Sequence, residues 1–460
     1  MNKRFKQLRR LIPGLLILLT LNAAAQQSSP PSPGQTSSSP AIYSLSLKEA
    51  IDYAVKNNVN VRNAILDLRI QEQSNRATTS QALPQVTGAL GLTDYLQIPT
   101  TLIPGEFTGQ PAGTFIPLKF GTKWSANAGA TLKQIIFDGQ VFVGLQARQA
   151  ALDLYSKEQE ITEQKVRVNI YKIYYQLLLS HTQVEQIDAN ITRQKELLHN
   201  STEMFKNGFS EKLDVDKANV QLANLESDKI QVDFNIASGY LALKVMLGMP
   251  VRDSLQLTDT LTYEMIRDAA LGDDYKYTDR HDFQLLEINK RLNEYDIKRY
   301  KQMYVPTANL TANYSQNQYS TQFDLAKRNS WFPSSYIGLN INIPIFDGFY
   351  KDANIRQAKY KLEQTRNNMD ALKISIDNDV RQAQLSFTAA LASLDYQKKN
   401  MDLATSVYDQ TRKKYEQGLG SNTEITSALT DLKSAQANYF NALYNAVIAK
   451  VDYQNAIGKL

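Results

Sequence analysis

Apolar residues recur at heptad spacing through two very long stretches of the chain. The first, residues 141–206, has no proline and only Gly144 as a glycine, so as a single helix it would extend for about 100 Å. Heptad seams of this length are typical of long coiled coils, in which an apolar stripe packs against a partner helix. The seam positions are Val166, Ile170, Ile173, Leu177, Val184, Ile187, Ile191 and Leu198 in the first stretch, and Val380, Phe387, Leu394, Met401, Tyr408 and Tyr415 in the second, 350–417.

Four shorter segments alternate apolar and polar residues with period two, which predicts β-strands. They are 307–315, 337–343 and 124–133, with a weaker case from Val86 to Leu92, and each is near the length that crosses a bilayer as a barrel strand. A soluble sheet would turn the polar face outward and a membrane barrel would turn it to the lumen, and alternation alone leaves both open. In a barrel the lipid-facing residues would be Trp124, Leu132, Tyr314, Ile337, Leu339 and Ile341, and the lumen-facing residues would be Asn127, Asn309, Asn313, Asn340 and Asn342.

The number of strands limits how such a barrel could close. A membrane barrel needs about eight strands or more, and open sheet edges are not tolerated in lipid. Four strands from one chain are therefore too few. If the strands lie in a membrane, two copies would supply about eight and three copies about twelve, so the protein must be an oligomer.

The chain also repeats itself over about 210 residues. Residues 136–139 (IFDG) recur as 345–348, and the glycine that ends 206–208 recurs at the end of 416–418. Each copy is predicted to contain a helix, a strand hairpin and two long helices. The leading helices are predicted from Ser46 to about Gln81, with a Ser46/Glu49 capping box, and over Asp282–Tyr304.

The repeat gives a division of the chain into segments. The first copy carries 13 more residues than the second, which the Pro-, Gly- and Thr-rich stretch 96–123 can hold. The predicted segments are a signal peptide (1–25), a flexible leader (26–44), a first repeat (45–250, hairpin 85–137), a connector (251–280) and a second repeat (281–460, hairpin 307–346).

Charge changes the picture at the N-terminus. The formal charge is +5, but residues 1–25 hold five bases and no acid, so the remainder has 46 bases and 46 acids. Those residues have the basic start, the apolar core and the Ala23–Ala25 small-residue site of an export signal. A neutral mature chain gives no support for a nucleic-acid partner.

The amino-acid composition excludes several kinds of functional site. Cysteine is absent, which excludes disulfides, thiolate metal sites and a lipid-modified N-terminal cysteine. The three histidines, His181, His199 and His281, do not have metal-ligand spacing. Neither a nucleophile elbow, nor a zinc-protease motif, nor a phosphate loop occurs. We therefore expect no enzyme activity, no metal and no cofactor.

The order of these features resembles the outer-membrane efflux channel family of the TolC type. The resemblance covers about 45–460 and is carried by IIFDG (135–139), PIFDG (344–348) and the helix breaks FKNG (205–208) and YEQG (415–418). It implies an α+β membrane protein: a homotrimer with a shared 12-stranded antiparallel barrel, four strands per protomer, above a periplasmic tunnel of long coiled-coil helices. The implied partners are outer-membrane lipid, a periplasmic adaptor and an inner-membrane pump. The implied function is passive efflux or type I-like secretion.

The resemblance also implies a gate at the tapered periplasmic end, next to the breaks at Gly208 and Gly418. Asp214, Tyr415 and Glu424 match positions that form inter-helix ties or an acidic constriction in the family. An ordinary structural role is also open for both acids, because first-turn acids are stabilised by a helix N-terminus. Two positions depart from the pattern, since Ser427 stands where a second constriction aspartate is expected and Gly420 where a gate arginine is expected.

Two other kinds of protein share some of these features. A periplasmic adaptor or coiled-coil scaffold would explain the export signal and the heptads. It would not need four strands with one apolar face, nor a doubled pair of long helices. A secreted enzyme is disfavoured by the absence of catalytic motifs.

Overall fold

The structure is a computed structural model that describes residues 41–260, 263, 266, 275–325 and 330–460. The predicted signal peptide, most of the leader and part of the connector lie outside the described residues. The chain divides into a small unit, which includes Arg252–Gln256, and a large unit formed by Ser44–Val251 and Leu257–Leu460. In the small unit the backbone N–H of Ser254 donates to the carbonyl of Ala41 over 2.8 Å.

The four long helices form two helical hairpins. The first hairpin consists of α3 (Gly139–Lys206) and α4 (Lys212–Leu247), and the second of α6 (Tyr350–Glu416) and α7 (Asn422–Ala456). The bounds of α3 and α6 agree with the predicted stretches 141–206 and 350–417 within two residues. Helix α3 begins early because the side chain of Asp138 caps it, accepting from the backbone N–H of Gln140 over 2.8 Å. Within the described residues, no helix is long and apolar enough to cross a membrane.

The predicted heptad seams lie in the cores of these hairpins. Ile187 and Ile191 of α3 pack against Leu225 and Val232 of α4. Phe387 of α6 packs with the apolar residues of α7 in the same way. The prediction is confirmed with small shifts, because Leu197 is buried where Leu198 was expected. The seam residues that are half-buried are Ile173, Val184, Leu198 and Met401.

The shorter helices differ from the prediction at one point. The continuous helix predicted from Ser46 to Gln81 is wrong, because two helices, α1 (Leu47–Asn57) and α2 (Val59–Ser80), meet at Asn58. Asn58 has an extended backbone, its Oδ1 accepts from the N–H of Asn60, and its Nδ2 donates to the carbonyl of Met246. The corresponding helix of the second copy, α5 (His281–Gln302), is unbroken.

Among the described residues, the main sheet contains only the four predicted strands, which are β2 (Gln85–Asp94), β5 (Trp124–Phe137), β7 (Thr307–Ser320) and β8 (Trp331–Asn342). They are antiparallel, in the order β2–β5–β7–β8, so each copy contributes one hairpin and β5 pairs with β7 between copies. The count of four strands per chain misses two smaller sheets, β3–β4 within the stretch 96–123 and β1–β6. The strands are β1 (Ile42–Leu45), β2 (Gln85–Asp94), β3 (Thr100–Pro104), β4 (Phe115–Lys119), β5 (Trp124–Phe137), β6 (Ser254–Leu257), β7 (Thr307–Ser320) and β8 (Trp331–Asn342).

The helices beside the sheet follow the same order as the strands. α2 packs on α3, α3 on α5, and α5 on α6. Farther along the long helices, α4 packs on α3, α3 on α7, and α7 on α6. The helices beside the sheet and the helices farther along therefore have uncovered edges on the same two sides as the sheet. One side presents β2, α2 and α4, and the other presents β8 and α6.

A buried tyrosine fastens the connector to the first hairpin. The hydroxyl of Tyr174 lies 3.0 Å from both the carbonyl oxygen of Leu45 and Oδ2 of Asp259, and the same carboxylate accepts from the N–H of Leu47. Tyr174 is fully buried, and this burial raises the pKa of its phenol. The Tyr174 hydroxyl and the Asp259 carboxylate together thus join the end of β1, the start of α1 and the middle of α3.

Removing the Tyr174 hydroxyl is expected to destabilise this junction. Tyr174→Phe leaves one oxygen of Asp259 without its phenol donor, and hydrogen bonds to charged groups contribute about 1.5–3 kcal/mol. The thermal unfolding temperature should fall measurably, whereas Tyr171→Phe, a change on the preceding turn, should leave it nearly unchanged. Equal melting temperatures for the two variants would remove Tyr174 from this role.

Candidate channel wall and helix tips

The strand register places every predicted wall residue on one of two faces. In antiparallel sheets directly opposed residues share a face. Leu132 opposes Ala312, which in turn opposes Ile337, and Leu310 opposes Leu339. The face that contains these residues also holds Trp124, Tyr314 and Ile341. The six residues predicted to meet lipid therefore share one face across three strands.

The five predicted lumen residues share the opposite face. Asn309 opposes Asn340 and Asn313 opposes Tyr336, and the same face carries Asn127 and Asn342. Asn313 Nδ2 donates to Oγ1 of Thr131 over 2.9 Å, so this face has its own polar contacts. On the apolar face, Ile337 is 79% and Leu339 59% exposed in a single copy. Register thus brings the two predicted sets together, each on its own side.

Both helix breaks are left-handed glycine turns of the same design. Gly208 has φ +78° and Gly418 has φ +74°, a region that favours glycine. In each turn two backbone N–H groups donate back to carbonyls of the last helical turn, and these bonds are 2.8–3.0 Å long. The residues that follow, Phe209 and Leu419, are 79% and 78% exposed. The two hairpins therefore end in matching tips, each with one large apolar side chain uncovered.

The three predicted gate residues lie in different surroundings. Asp214, in the first turn of α4, accepts a hydrogen bond from the hydroxyl of Ser210 over 2.9 Å. Tyr415 is 5% exposed, and its hydroxyl lies 3.0 Å from that of Ser201 on α3. Glu424 is exposed in the first turn of α7, and its backbone N–H donates to the capping Ser421. The contact of Tyr415 is an inter-helix tie, but it does not involve Asp214.

The exposed face of α7 carries an acid that the sequence argument missed. Ser427 and Asp431 follow Glu424 by three and seven residues, so all three lie on one side of the helix, and all are exposed. No large apolar residue of α7 is exposed, in contrast to α4 and α6. Heptad spacing from Glu424 would have pointed to Asp431. Gly420, at the other departure, lies in the turn before α7.

Polar contacts join the two hairpins within one copy, and they too were missed. Asn190 of α3 donates to Oε1 of Gln436 on α7 over 2.7 Å, and Lys433 of α7 forms an ion pair with Asp228 of α4. The guanidinium of Arg193 lies over the ring of Tyr408, 5.7 Å from its centre. Burial raises the pKa of Tyr408. Near the tip, Asn422 of α7 donates to the backbone carbonyl of Asp214 over 3.1 Å.

Two paired long helical hairpins beside a four-stranded sheet, with one apolar face, define the class of outer-membrane export channels. The sequence model of the family described as "Outer membrane efflux protein" matches residues 50–249 and 278–459. The chain belongs to that family. It is an outer-membrane channel of the kind that serves efflux or type I secretion.

Known relatives agree in sequence and in fold. The chain is 23% identical to outer membrane protein TolC of Escherichia coli K12 over 356 residues, which cover 73% of this chain and 70% of TolC. It is 20% identical to the alkaline protease secretion protein AprF of Pseudomonas aeruginosa, over 72% of this chain and 67% of AprF. The crystal structure of the CmeC outer membrane channel of Campylobacter jejuni superimposes with a TM-score of 0.70 at 17% identity, covering 90% of this chain and 85% of CmeC.

Proposed function

We propose that three copies of the chain close into one passive duct that carries substrates across the outer membrane. The observation that carries the proposal is the coincidence of open edges, because the sheet and the helix layers all end on the same two sides. An edge strand with unpaired N–H and C=O groups cannot be left open in lipid. Pairing β2 of one copy with β8 of the next would satisfy both edges, and a ring of three would give twelve strands.

The helix surfaces on those two sides support the same contact. Both carry exposed apolar seams, and apolar surface of this extent needs a cover. A head-to-tail contact that closes on itself would bury the α4 seam of one copy against the α6 seam of the next. The seam residues are Leu213, Val220, Ile230, Phe234, Leu241 and Val245 on α4, and Ile374, Leu385, Tyr396, Leu403 and Val407 on α6.

The two faces of the sheet then take the roles predicted for them. The face with Leu132, Ile337 and Leu339 would meet lipid, and the asparagine face would line a water-filled lumen. An adaptor or scaffold protein would not need a sheet with an exposed apolar face. The proposal assigns no catalytic step, and transport energy would come from the inner-membrane pump.

The hairpin tips are proposed as the periplasmic gate and docking end. Within each hairpin the helices are joined by apolar cores. Between hairpins the apolar contacts of Leu179 and Leu197 are interspersed with polar ones. Polar contacts can exchange with water, so the two hairpins can shift against each other at lower cost than their own cores can open. Glu424 would form an acidic ring, with Asp214 and Tyr415 as ties nearby. The exposed Phe209 and Leu419 suit docking of the periplasmic adaptor.

Reconstitution into a planar bilayer tests the duct itself. Protein extracted from the outer membrane should insert and give discrete, long-lived conductance steps of one main size. Addition of a divalent cation on the periplasmic side should block the current. A protein that remains soluble, or that raises conductance without discrete steps, would reject the duct.

Glu424→Gln is expected to weaken that cation block several-fold. Three copies would bring three carboxylates close to one axis, where like charges attract a cation and the mutation removes all three. The measurement is the blocking constant in single-channel recordings. Glu211→Gln is the matched control, since Glu211 is an exposed acid at the other tip. Equal blocking constants for wild type and Glu424→Gln would place Glu424 away from the constriction.

A further inference from the structure

The outer face of α2 carries a row of three arginines. Arg62, Arg69 and Arg76 are exposed and seven residues apart, so they stack on one side of the helix about 10.5 Å from one another. Among the described residues of one copy, none of them forms an ion pair. The row runs beside an apolar seam that is also exposed, formed by Val59, Leu66 and Ile70.

The outer face of α6 carries the opposite charge at the same spacing. Glu363 and Asp370 are exposed and seven residues apart, and they run beside the exposed seam residues Tyr360 and Ile374. In the described part of one copy Glu363 has no ion pair. Asp370 pairs only with Lys373 of its own helix, over 2.9 Å and at the surface. Each open side of the helix layer thus has an apolar seam flanked by heptad-spaced charges. One exposed residue of opposite sign lies between the members of each row, Glu72 on α2 and Arg366 on α6.

Contacts within the copy show that the two rows lie at the same level along the helices. Three hydrogen bonds relate the height of α2 to that of α6. Through them Asn75, beside Arg76, lies at the same height as the part of α6 just before Thr365, where Glu363 lies. Because both rows step by seven residues, Arg69 is then level with Asp370. The hydrogen bonds that carry the level from helix to helix are Asn75 to the Arg148 carbonyl (3.0 Å), Lys298 to Gln146 (2.5 Å) and Asn293 to Thr365 (2.8 Å).

The two rows also fall on the same side of the contact. α2 leads into the sheet and α6 leads out of it, so the helices are antiparallel. Successive residues are rotated by 100° about the helix axis. In that direction of rotation, the arginine row precedes its apolar seam by about 70°, and the acidic row precedes its own seam by about 50°. When two antiparallel helices face each other through their seams, offsets of the same sign point to the same side. The charges therefore meet instead of lying on opposite sides of the interface.

We propose that the arginine row on α2 pairs with the acidic row on α6 of the neighbouring copy, with Arg69 opposite Asp370 and Arg76 opposite Glu363. The partner is a second copy of this chain, and the inference rests on the proposed head-to-tail ring. The apolar seams supply most of the contact, but they could slide by one heptad. The charged rows set the register, and they resist pairing of two like edges, where arginine would face arginine.

Charge reversal and compensation test the pairing. One double variant is Arg69→Glu with Arg76→Glu, and the other is Glu363→Arg with Asp370→Arg. Each places like charges opposite one another at all three interfaces between copies of the proposed ring. Each double variant should raise the monomer fraction in detergent at low ionic strength by roughly tenfold or more. The variant with all four changes should return to the wild-type trimer fraction. Native mass spectrometry measures the fractions, and Asp67→Lys, on the other side of the α2 seam, should have no effect.

Two outcomes would overturn the pairing. One is that the double variants assemble as wild type does, and the other is that the fourfold variant assembles no better than either double variant. The wild-type trimer and its conductance are measured separately. A conducting wild-type trimer with either outcome rejects the charged rows and leaves the duct in place.

Discussion

Leu339→Arg is expected to abolish assembly of the protein in the outer membrane. Leu339 lies on the apolar face of β8, opposite Leu310 of β7, and is uncovered in a single copy. A cation on the lipid face near the middle of the bilayer costs about 2–4 kcal/mol. Three copies would place three such charges in the same membrane. The measurement is the amount of heat-dissociable trimer in purified outer membranes.

The next residue along the strand provides the control. Asn340 lies on the opposite face, opposite Asn309, and is also exposed. Asn340→Arg adds the same side chain at the same height, but it would point into a water-filled lumen, so assembly should continue and only conductance should change. If both variants assemble equally well, or fail equally, the apolar face does not meet lipid.

Bridging the two helical hairpins is expected to stop export. Asp228 of α4 and Lys433 of α7 form an ion pair between hairpins at partly exposed positions. Because the chain has no cysteine, Asp228→Cys with Lys433→Cys can be bridged selectively by a short bis-maleimide. The bridge prevents the shift between hairpins that the proposed opening requires. Export of a pump substrate should then fall to the level of cells without the channel.

A lysine–aspartate pair within one hairpin is the matched control. Lys229 of α4 and Asp188 of α3 form an ion pair over 2.6 Å with similar exposure. A bridge between cysteines at these two positions joins helices that already share an apolar core, so export should continue. Loss of export with both bridges, or with neither, would contradict movement along the inter-hairpin contact.

Local sequence signals were sufficient for the long helices and for the faces of the strands. The glycines at 208 and 418 end their helices because a left-handed turn is required there, and this signal is contained in the residue itself. The alternation in β7 and β8 assigned Leu339 and Asn340 to opposite faces, because the side-chain period of a strand is two. The internal repeat supplied a second copy of both signals.

The features that were missed depend on partners distant in the sequence. No proline or glycine lies at the break between α1 and α2 to indicate it. The side chain of Asn58 at this break donates a hydrogen bond to the carbonyl of Met246, 188 residues away. The contact of Asn190 with Gln436 spans 246 residues and joins two polar side chains that heptad analysis places outside the seam. The β3–β4 hairpin lies in the Pro-, Gly- and Thr-rich stretch 96–123, which was interpreted only as room for the extra residues of the first copy.

The gate is the part of the molecule that the sequence defined least. Glu424 and Asp214 occupy the first turns of α7 and α4, where an acid is favourable in any helix, so position alone does not distinguish a gate from a cap. Register along α7 adds Asp431 to the same exposed side as Glu424. The blocking constants of Glu424→Gln and of Asp431→Asn would show whether this side lines the duct.

Native mass spectrometry of the protein extracted from the outer membrane tests the central claim most directly. In the proposed duct, the edge with β2, α2 and α4 of one copy meets the edge with β8 and α6 of the next, and three copies supply twelve strands. The predicted result is a single species with the mass of three chains. A species with the mass of one chain, stable in the same detergent, would contradict the closed ring and with it the duct.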